Sequence, residues 1–410
     1  MKFIHRSSNS THRGPDRWHA RAATLAVATV ASIAILLAIP GAQAASVGGV
    51  LGTGYNGYGQ LCNGTTNAGS TPAGAVTPLD GGVSTTAAGA VHSLALKSDG
   101  TIYACGNNLF GQLGNGTTTN SSTPVAVTLP GGVTATAVAA DEFHSLALTS
   151  GGAVFAWGHN AFGQLGNGTT SDSSSPVAVA VPGTVTQIAA GWAFNLALTS
   201  TGAVYAWGFN GDGELGTTSA DTCALYYSCS KSPVAVSLAG ATVKAIAAGW
   251  NHSLALQSDN TVLAWGLNNY GQLGLGDTGN RPTPTLAVDG LTVKAIACGG
   301  AHSLAIKSDN AGIAWGLNND GQLGVGTADP FVTIATPVAT NNALTAIAGG
   351  AFHSLAIQAG GAPLAWGYNA TGQLGDGTTA NRISPVSPLA PADSAVTGIA
   401  AGWAHSLFVK

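Results

Sequence analysis

Apolar and polar residues alternate in short runs along most of the chain, a pattern that predicts β-strands. In residues 243–266, the runs VKAIAAG, HSLALQ and TVLAWG are separated by short turns. A glycine-rich loop then leads to a fourth run, TLAV. Both faces of these runs are apolar but differ in bulk, as expected for a sheet stacked between two others. The segment therefore predicts a unit of four short strands.

This unit is repeated along the chain. HSLA-type strands begin at His92, His144, Phe194, His252, His302, His353 and His405, at intervals of 50 to 58 residues. GQLG-type motifs begin at Gly59, Gly111, Gly163, Gly213, Gly271, Gly321 and Gly372. Seven four-stranded units of about 50 residues predict an all-β fold, a seven-bladed β-propeller with antiparallel blades.

The order of the motifs at the two ends predicts how the ring closes. The first GQLG motif precedes the first HSLA motif, and the last HSLA motif ends the sequence. One blade is therefore expected to be composite, with its first two strands from about 395–410 and its last two from about 47–80. Deletion of residues 400–410 is then expected to unfold the whole domain.

Residues 1–44 have the pattern of a secretory signal peptide that is removed. Basic residues precede an apolar run from Ala22 to Ile39, and Ala42-Gln43-Ala44 matches a cleavage site. An uncleaved membrane anchor is the alternative, since the run is nearly long enough to span a bilayer. No second such run follows, so no membrane contact is expected after cleavage, and the propeller is assigned to residues 45–410.

Charge argues against a nucleic-acid partner. Without residues 1–44 the formal net charge falls from −4 to −8, because five of 13 basic residues and one of 17 acidic residues lie there. Few basic residues remain to contact a phosphate backbone.

The five cysteines predict at least one disulfide in an exported chain. Cys223 and Cys229 are close enough to bridge within an insertion at residues 217–232, which is either a rim extension for a partner or a tolerated surface decoration. Whether Cys62 and Cys105 pair is left open, and Cys298 is expected to be a small buried residue.

The repeated polar motifs predict architecture rather than catalysis. His-Ser occurs in six units, whereas a Ser–His catalytic site needs one orienting acid and one oxyanion hole. No local His/Cys spacing indicates a metal site, and GQLG lacks the Lys-Ser/Thr and helix of a phosphate loop. We therefore expect no enzyme activity, no metal and no cofactor.

Positions that vary between units are the candidates for partner binding. The turn before each HSLA strand and the residue before each GQLG are expected to emerge on one face, because antiparallel strands alternate in direction. Exposed aromatic residues with a few charges are typical of protein interfaces. The alternative is that these rings only cover the blade ends. The predicted partner-binding residues are Tyr58, Phe110, Asp141, Glu142, Phe143, Phe162, Trp192, Asp212, Trp250, Tyr270, Phe352 and Trp403.

The unit AAGWNHSLALQSDNTVLAWGLNNYGQLGLGD closely resembles the repeat of the regulator of chromosome condensation family. The resemblance covers roughly residues 47–410 and implies a propeller used as an interaction scaffold. One member type of that family exchanges nucleotide on a small nuclear GTPase and binds chromatin. A secreted bacterial branch includes an inhibitor of β-lactamases, in which the aromatic-rich turn face contacts the target.

Together these patterns predict a secreted, non-enzymatic, monomeric propeller that binds a protein through one aromatic-rich face. Three alternatives stay open: nucleotide exchange on a small GTPase, carbohydrate binding, and inhibition of an enzyme. A basic tail for chromatin is absent from the propeller segment, and export disfavours an intracellular GTPase partner.

Overall fold

Seven antiparallel sheets form the fold in the computed structural model, which describes residues 48–74, 79–219, 221–288, 290–389 and 395–410. Blade 1 consists of Val83–Ala88, His92–Lys97, Ile102–Gly106 and Ser121–Val127. Blade 2 consists of Ala135–Asp141, His144–Thr149, Val154–Gly158 and Ser173–Val179. Blade 3 consists of Val185–Ala190, Phe194–Thr199, Val204–Phe209 and Ser228–Ala235, with the short strand Asp221–Thr222 at its edge.

The remaining blades repeat this order. Blade 4 consists of Val243–Ala248, His252–Gln257, Val262–Gly266 and Arg281–Ala287. Blade 5 consists of Val293–Cys298, His302–Lys307, Gly312–Leu317 and Phe331–Pro337. Blade 6 consists of Leu344–Gly349, His353–Gln358, Pro363–Gly367 and Arg382–Val386. Two short 3-10 helices lie at Pro130–Gly132 and Ala224–Tyr226.

Blade 7 is composite, as the motif order predicts. Its strands are Gly398–Ala401, His405–Val409, Val50–Gly54 and Gly69–Gly74. His405–Val409 pairs with Val50–Gly54 in antiparallel register. The first strand of every blade contacts the first strands of both neighbouring blades, so the described segments form a closed ring. The expectation of a seven-bladed propeller is therefore confirmed.

The core lies between blades. Blades 2 to 6 each have a buried tryptophan that binds the blade before it. Trp157 donates its indole N–H to the carbonyl of Gln112 at 2.9 Å, and Trp207 donates to that of Gln164 at 3.0 Å. Trp265, Trp315 and Trp366 repeat this contact. The last glycine of GQLG is required by the same packing, because a Cβ on Gly114 would lie 2.6 Å from Trp157 Nε1.

The two junctions that flank blade 7 lack this tryptophan. At the junction of blades 6 and 7, the buried Thr53 takes its place, and its hydroxyl proton is shared between Gly69 O of its own blade at 2.7 Å and Gly372 O of blade 6 at 2.9 Å. At the junction of blades 7 and 1, Cys105 takes its place and bridges to Cys62, with the two Cα atoms 5.6 Å apart. Cys62 replaces the last glycine of its motif, so the disulfide substitutes for a glycine–tryptophan contact.

The His-Ser motif forms a chain of buried hydrogen bonds between blades. In five junctions His Nε2 meets the Ser hydroxyl of the next blade at 2.9 to 3.0 Å, and His144 meets Asn195 Oδ1 at 2.8 Å. Between blades 3 and 4 the chain is interrupted, because Phe194 stands in the histidine position. The histidines thus bind blade to blade, each with a different neighbour, in the architectural role expected for them.

The insertion at 217–232 carries the predicted disulfide of Cys223 and Cys229, with Cα atoms 5.9 Å apart. Cys298 is buried in the core of blades 4 and 5, as expected. The signal peptide predicted at 1–44 lies outside the described residues. Among the residues that are described, no helix is long and apolar enough to cross a membrane.

Candidate functional site

Two segments of each blade meet on one side of the ring, and together they are called the aromatic face below. One is the turn between the first and second strands, and the other begins directly after the third strand. Backbone hydrogen bonds hold them side by side: Phe209 N donates to Ala193 O, and Tyr368 N donates to Phe352 O, both at 2.8 Å. The strand directions therefore place these segments together, as the sequence predicts.

The predicted aromatic residues lie half-buried on this face. Their rings form small groups between blades. Phe110 of blade 1 and Phe143 of blade 2 have centroids 5.2 Å apart, and Trp250 of blade 4 and Phe352 of blade 6, with blade 5 between them, are also 5.2 Å apart. Each is neither a core residue nor a freely exposed one. The members are Tyr58, Phe110, Phe143, Phe162, Trp192, Trp250, Tyr270, Phe352 and Trp403.

Sequence reasoning missed a second row of rings on the same face. Tyr55, His159, Phe209 and Tyr368 each follow the glycine at or next to the end of a third strand, and in blade 3 the strand itself continues to Phe209. Phe209 touches Phe162 at 5.3 Å and Trp192 at 5.6 Å, and His159 touches Phe110 at 4.5 Å. The register of the third strand is the signal that could have found them, since the next residue faces the turn.

The insertion also contributes to the face. Tyr227 packs against Phe162 and Phe209, with centroids 6.4 and 5.4 Å away. Its neighbour Tyr226 is 94% exposed at the rim. The insertion is therefore continuous with the aromatic face in the junction of blades 2 and 3.

The acidic residues require a correction. Asp141 and Glu142 are 0% and 8% exposed, so the expectation that they are presented to a partner is wrong. The other six blades have glycine at the position of Asp141, where a side chain meets the histidine ring and the next blade's carbonyl, as at Gly249. Asp141 is therefore enclosed within the protein rather than presented to a partner. Asp212 alone of the three predicted acids is half-buried on the face.

The recurrent GQLG and Ala-Trp-Gly motifs match known sequence families. The profile described as "RCC1-like domain" matches residues 177–410, more than half of the chain. The chain belongs to the RCC1 repeat family. The profile described as "Regulator of chromosome condensation (RCC1) repeat" also matches residues 99–148 and 151–198.

Individual RCC1-type relatives cover parts of the chain. The ultraviolet-B receptor UVR8 of Arabidopsis thaliana is 32% identical over 325 residues, which are 78% of this chain and 61% of UVR8. Protein RCC2 of Homo sapiens is 28% identical over 48% of this chain and 42% of RCC2. The chain therefore spans less than two thirds of the length of these relatives.

Solved structures show the same RCC1-type propeller. Human WBSCR16 has a TM-score of 0.77 and 25% identity, covering 89% of this chain and 99% of that one. Prp20p of Saccharomyces cerevisiae, reported with its binding to Gsp1p and histones, has a TM-score of 0.78 and 23% identity over 89% of this chain and 92% of that one. The latter supports the fold alone.

One RCC1 repeat departs from the motif beneath the face. Glu214 replaces the usual glutamine and is fully buried, and burial together with Asp212 raises its pKa to about 7. Its carboxylate accepts hydrogen bonds from Asn251 Nδ2 at 2.8 Å and from Asp212 N at 3.0 Å. Asn251, in the variable turn beside Trp250, thus serves to satisfy a buried carboxylate rather than to meet a partner.

The buried histidines of the RCC1 repeats are uncharged. Burial lowers the pKa of His252, His302 and His405 to about 3, so these rings are neutral at ordinary pH. Within the described ranges, no three His, Cys, Asp or Glu side chains are grouped to hold a metal ion.

Proposed function

We propose that this chain is an exported, non-enzymatic propeller that binds a protein partner through the aromatic face. The observation that carries this proposal is the collection of half-buried rings from several blades on one side of a closed ring. Rigid, partly exposed aromatic side chains provide contact area at low entropic cost and are the common anchors of protein interfaces.

Two further features support a macromolecular partner. Leu109, next to Phe110, is 66% exposed, and Tyr226 at the rim is 94% exposed. Both extend the apolar surface beyond the ring contacts themselves. Large apolar side chains exposed beside half-buried rings are typical of interaction sites.

Export is part of the proposal. It rests on the basic, apolar and Ala-x-Ala pattern of residues 1–44 and on the two cysteine pairs at disulfide distance. An extracellular partner follows from it, so nucleotide exchange on an intracellular GTPase is not the proposed activity. The protein partner is also favoured over a glycan, because the rings span several blades rather than one sugar-sized platform.

The experiment is crosslinked capture of proteins from the culture medium by the purified propeller. The variant Trp192→Ala/Trp250→Ala/Trp403→Ala should lose a saturable protein partner that the unmodified chain retains. The matched control is Leu286→Ala/Ile334→Ala, which removes two exposed apolar side chains from outer strands, 49% and 59% exposed. Unchanged melting temperatures must accompany both variants.

Equal capture by the two variants would show that the wrong face was chosen. Binding to a glycan array that depends on Trp250 would replace the protein partner by a carbohydrate. Stimulated nucleotide exchange by the purified protein would restore the GTPase alternative.

A further inference from the structure

A cavity of about 490 Å³ opens on the aromatic face where blades 6 and 7 meet. Its walls are four rings, one carboxylate and two small residues. They are Tyr55, Asp320, Phe352, Tyr368, Thr371, Trp403 and Ala404. The volume is that of a small-molecule site rather than of a packing defect.

Ring contacts restrain three of the four wall rings of this cavity. Phe352 makes an edge contact with Trp250 at 5.2 Å and another with Tyr368 at 6.4 Å. Tyr55 makes an edge contact with Tyr58 at 6.3 Å. Because these neighbours restrict the wall rings, the cavity is largely formed before any ligand arrives.

The charge in the cavity is negative. Asp320 is its only charged wall residue, and none of the four ion pairs in the described part of the chain includes it. Its Oδ1 accepts a hydrogen bond from Asn381 Nδ2 at 2.9 Å, which fixes the carboxylate beside the rings. Ring faces and a carboxylate both attract a cation.

Ring faces make up most of the walls, so a ligand that carries several N–H groups finds fewer acceptors there than in water. The wall acceptors are the Asp320 carboxylate and three hydroxyls, of which that of Thr371 directs its proton to Gln373 Oε1 at 2.8 Å and Ala404 O at 3.1 Å. A primary ammonium has three N–H donors, and each donor buried without an acceptor is costly. A quaternary ammonium has none, and its methyl groups can lie against the rings.

We propose that this cavity binds a trimethylammonium group, with the cation against the four rings and balanced by Asp320. This site goes beyond the proposed function, because a protein partner can occupy the aromatic face without filling the cavity. The group can come from a free small cation such as choline or from a phosphatidylcholine headgroup, and the experiment distinguishes them.

Calorimetric titration of the full chain with choline and with tetramethylammonium tests the proposal. Both should bind, and 3,3-dimethylbutan-1-ol, the neutral carbon analogue of choline, should bind at least about tenfold more weakly. Ethanolamine, which replaces the methyl groups by N–H donors, should also bind more weakly. Equal binding of choline and its neutral analogue would overturn the proposal.

Two variants locate the site, and a third controls for charge. Thr371→Phe should fill the cavity and abolish choline binding, and Asp320→Asn should weaken it about fivefold by removing the charge. Asp329→Asn, an exposed charge in the same loop, should leave the affinity unchanged. Choline binding that survives Thr371→Phe in a folded protein would place the site elsewhere and overturn the assignment.

Vesicles separate the two sources of the cation. Binding to phosphatidylcholine vesicles that free choline competes away indicates the lipid headgroup, whereas choline binding without vesicle binding indicates a free small cation. Both outcomes support a trimethylammonium site. Equal binding to phosphatidylglycerol vesicles would overturn it. Because the capture experiment detects a protein partner, its outcome does not depend on the result with vesicles.

Discussion

The junction of blades 2 and 3 is filled where the equivalent junction of blades 6 and 7 is open. In the first, Phe162, Trp192 and Phe209 occupy three repeat positions and touch each other with centroids 5.3 to 5.9 Å apart. In the second, the same three positions hold Thr371, Trp403 and Tyr55, which line the cavity. At the surface, the open junction has Thr371 in place of the Phe162 ring and no counterpart of Tyr227, which packs against Phe162 and Phe209.

The buried layer beneath shows the same contrast. Trp207 fills the junction of blades 2 and 3, whereas Thr53 stands in its place between blades 6 and 7. Both side chains donate to a backbone carbonyl of the preceding blade's GQLG motif, so the hydrogen bond is kept while the volume is lost. The hydrogen-bonded frame is thus similar in these two junctions, which differ in side-chain size both at the surface and in the buried layer.

Acidification has the largest expected effect. It should destabilise both junctions together, because it acts on the buried histidines that connect neighbouring blades. Burial lowers the pKa of His144 to about 4 and that of His353 to about 3, from an ordinary value of 6.5. Below pH 6.5 the histidines of the unfolded chain therefore bind protons, whereas the buried histidines of the folded chain do not. The free energy of unfolding falls as a consequence.

Two buried acids reduce this effect. Burial raises the pKa values of Glu142 and Glu214, so they bind protons first in the folded state, and acidification through their range is stabilising. With six such histidines and two such acids, the free energy of unfolding should fall by about 5 kcal/mol for each pH unit of acidification near pH 5. Urea unfolding at pH 5 to 7 measures how the free energy of unfolding depends on pH. The variant His353→Phe, which has the residue found at Phe194, should take up about one proton fewer on unfolding than the unmodified chain. A flat pH profile would contradict the prediction.

Trp207→Thr should have the next largest effect, because it gives the filled junction the buried residue of the open one. Loss of a fully buried indole and the cavity that it leaves are expected to cost about 4 kcal/mol of unfolding free energy. Trp207→Phe keeps a ring and loses the hydrogen bond to Gln164, so it should cost about half as much.

The matched change in the open junction is Thr53→Ser. It keeps the hydroxyl that binds Gly372 O and removes one methyl group, at a cost of about 1 kcal/mol. Urea unfolding compares the three variants. Equal losses for Trp207→Thr and Thr53→Ser would mean that the tryptophan layer does not hold the ring together.

The propeller could be predicted from sequence because each blade repeats the same motifs, and a periodic signal survives the variation of any single copy. The shared face followed from strand alternation alone. The cavity could not be predicted, because it depends on loops of blades 5, 6 and 7 that are far apart in sequence. Asp320 comes from one blade, Thr371 from the next and Tyr55 from the opposite end of the chain.

For two acidic residues, the sequence predicted exposed side chains that the structure shows to be buried. Sequence places Asp141 and Glu142 in a variable turn, where polar residues are usually exposed. In blade 2 the first strand instead continues to Asp141, whose backbone is paired with that of His144, and the Asp141 side chain is buried. Variation between repeats therefore indicates where a partner can be recognised, but it does not show which of the varying side chains reach the surface.

Phe162→Thr should open the filled junction and cost about 2 kcal/mol, less than Trp207→Thr because Phe162 is only half-buried. Its contacts with Trp192, Phe209 and Tyr227 would all be lost. Urea unfolding gives the cost, and choline titration shows whether the new space binds. Tighter binding there would mean that rings suffice without a carboxylate equivalent to Asp320.

Thr371→Phe should close the open junction with the smallest effect on stability, a change of less than about 1 kcal/mol. The added ring gains contacts with Trp403 and Tyr55 but removes the hydroxyl contacts with Gln373 and Ala404. Because the cavity already has room for the ring, no core residue has to move, and urea unfolding should show it. Strong destabilisation would mean that Thr371 is held there for backbone packing, and that the open junction is a requirement of blade 7 closure rather than a site kept free for a ligand.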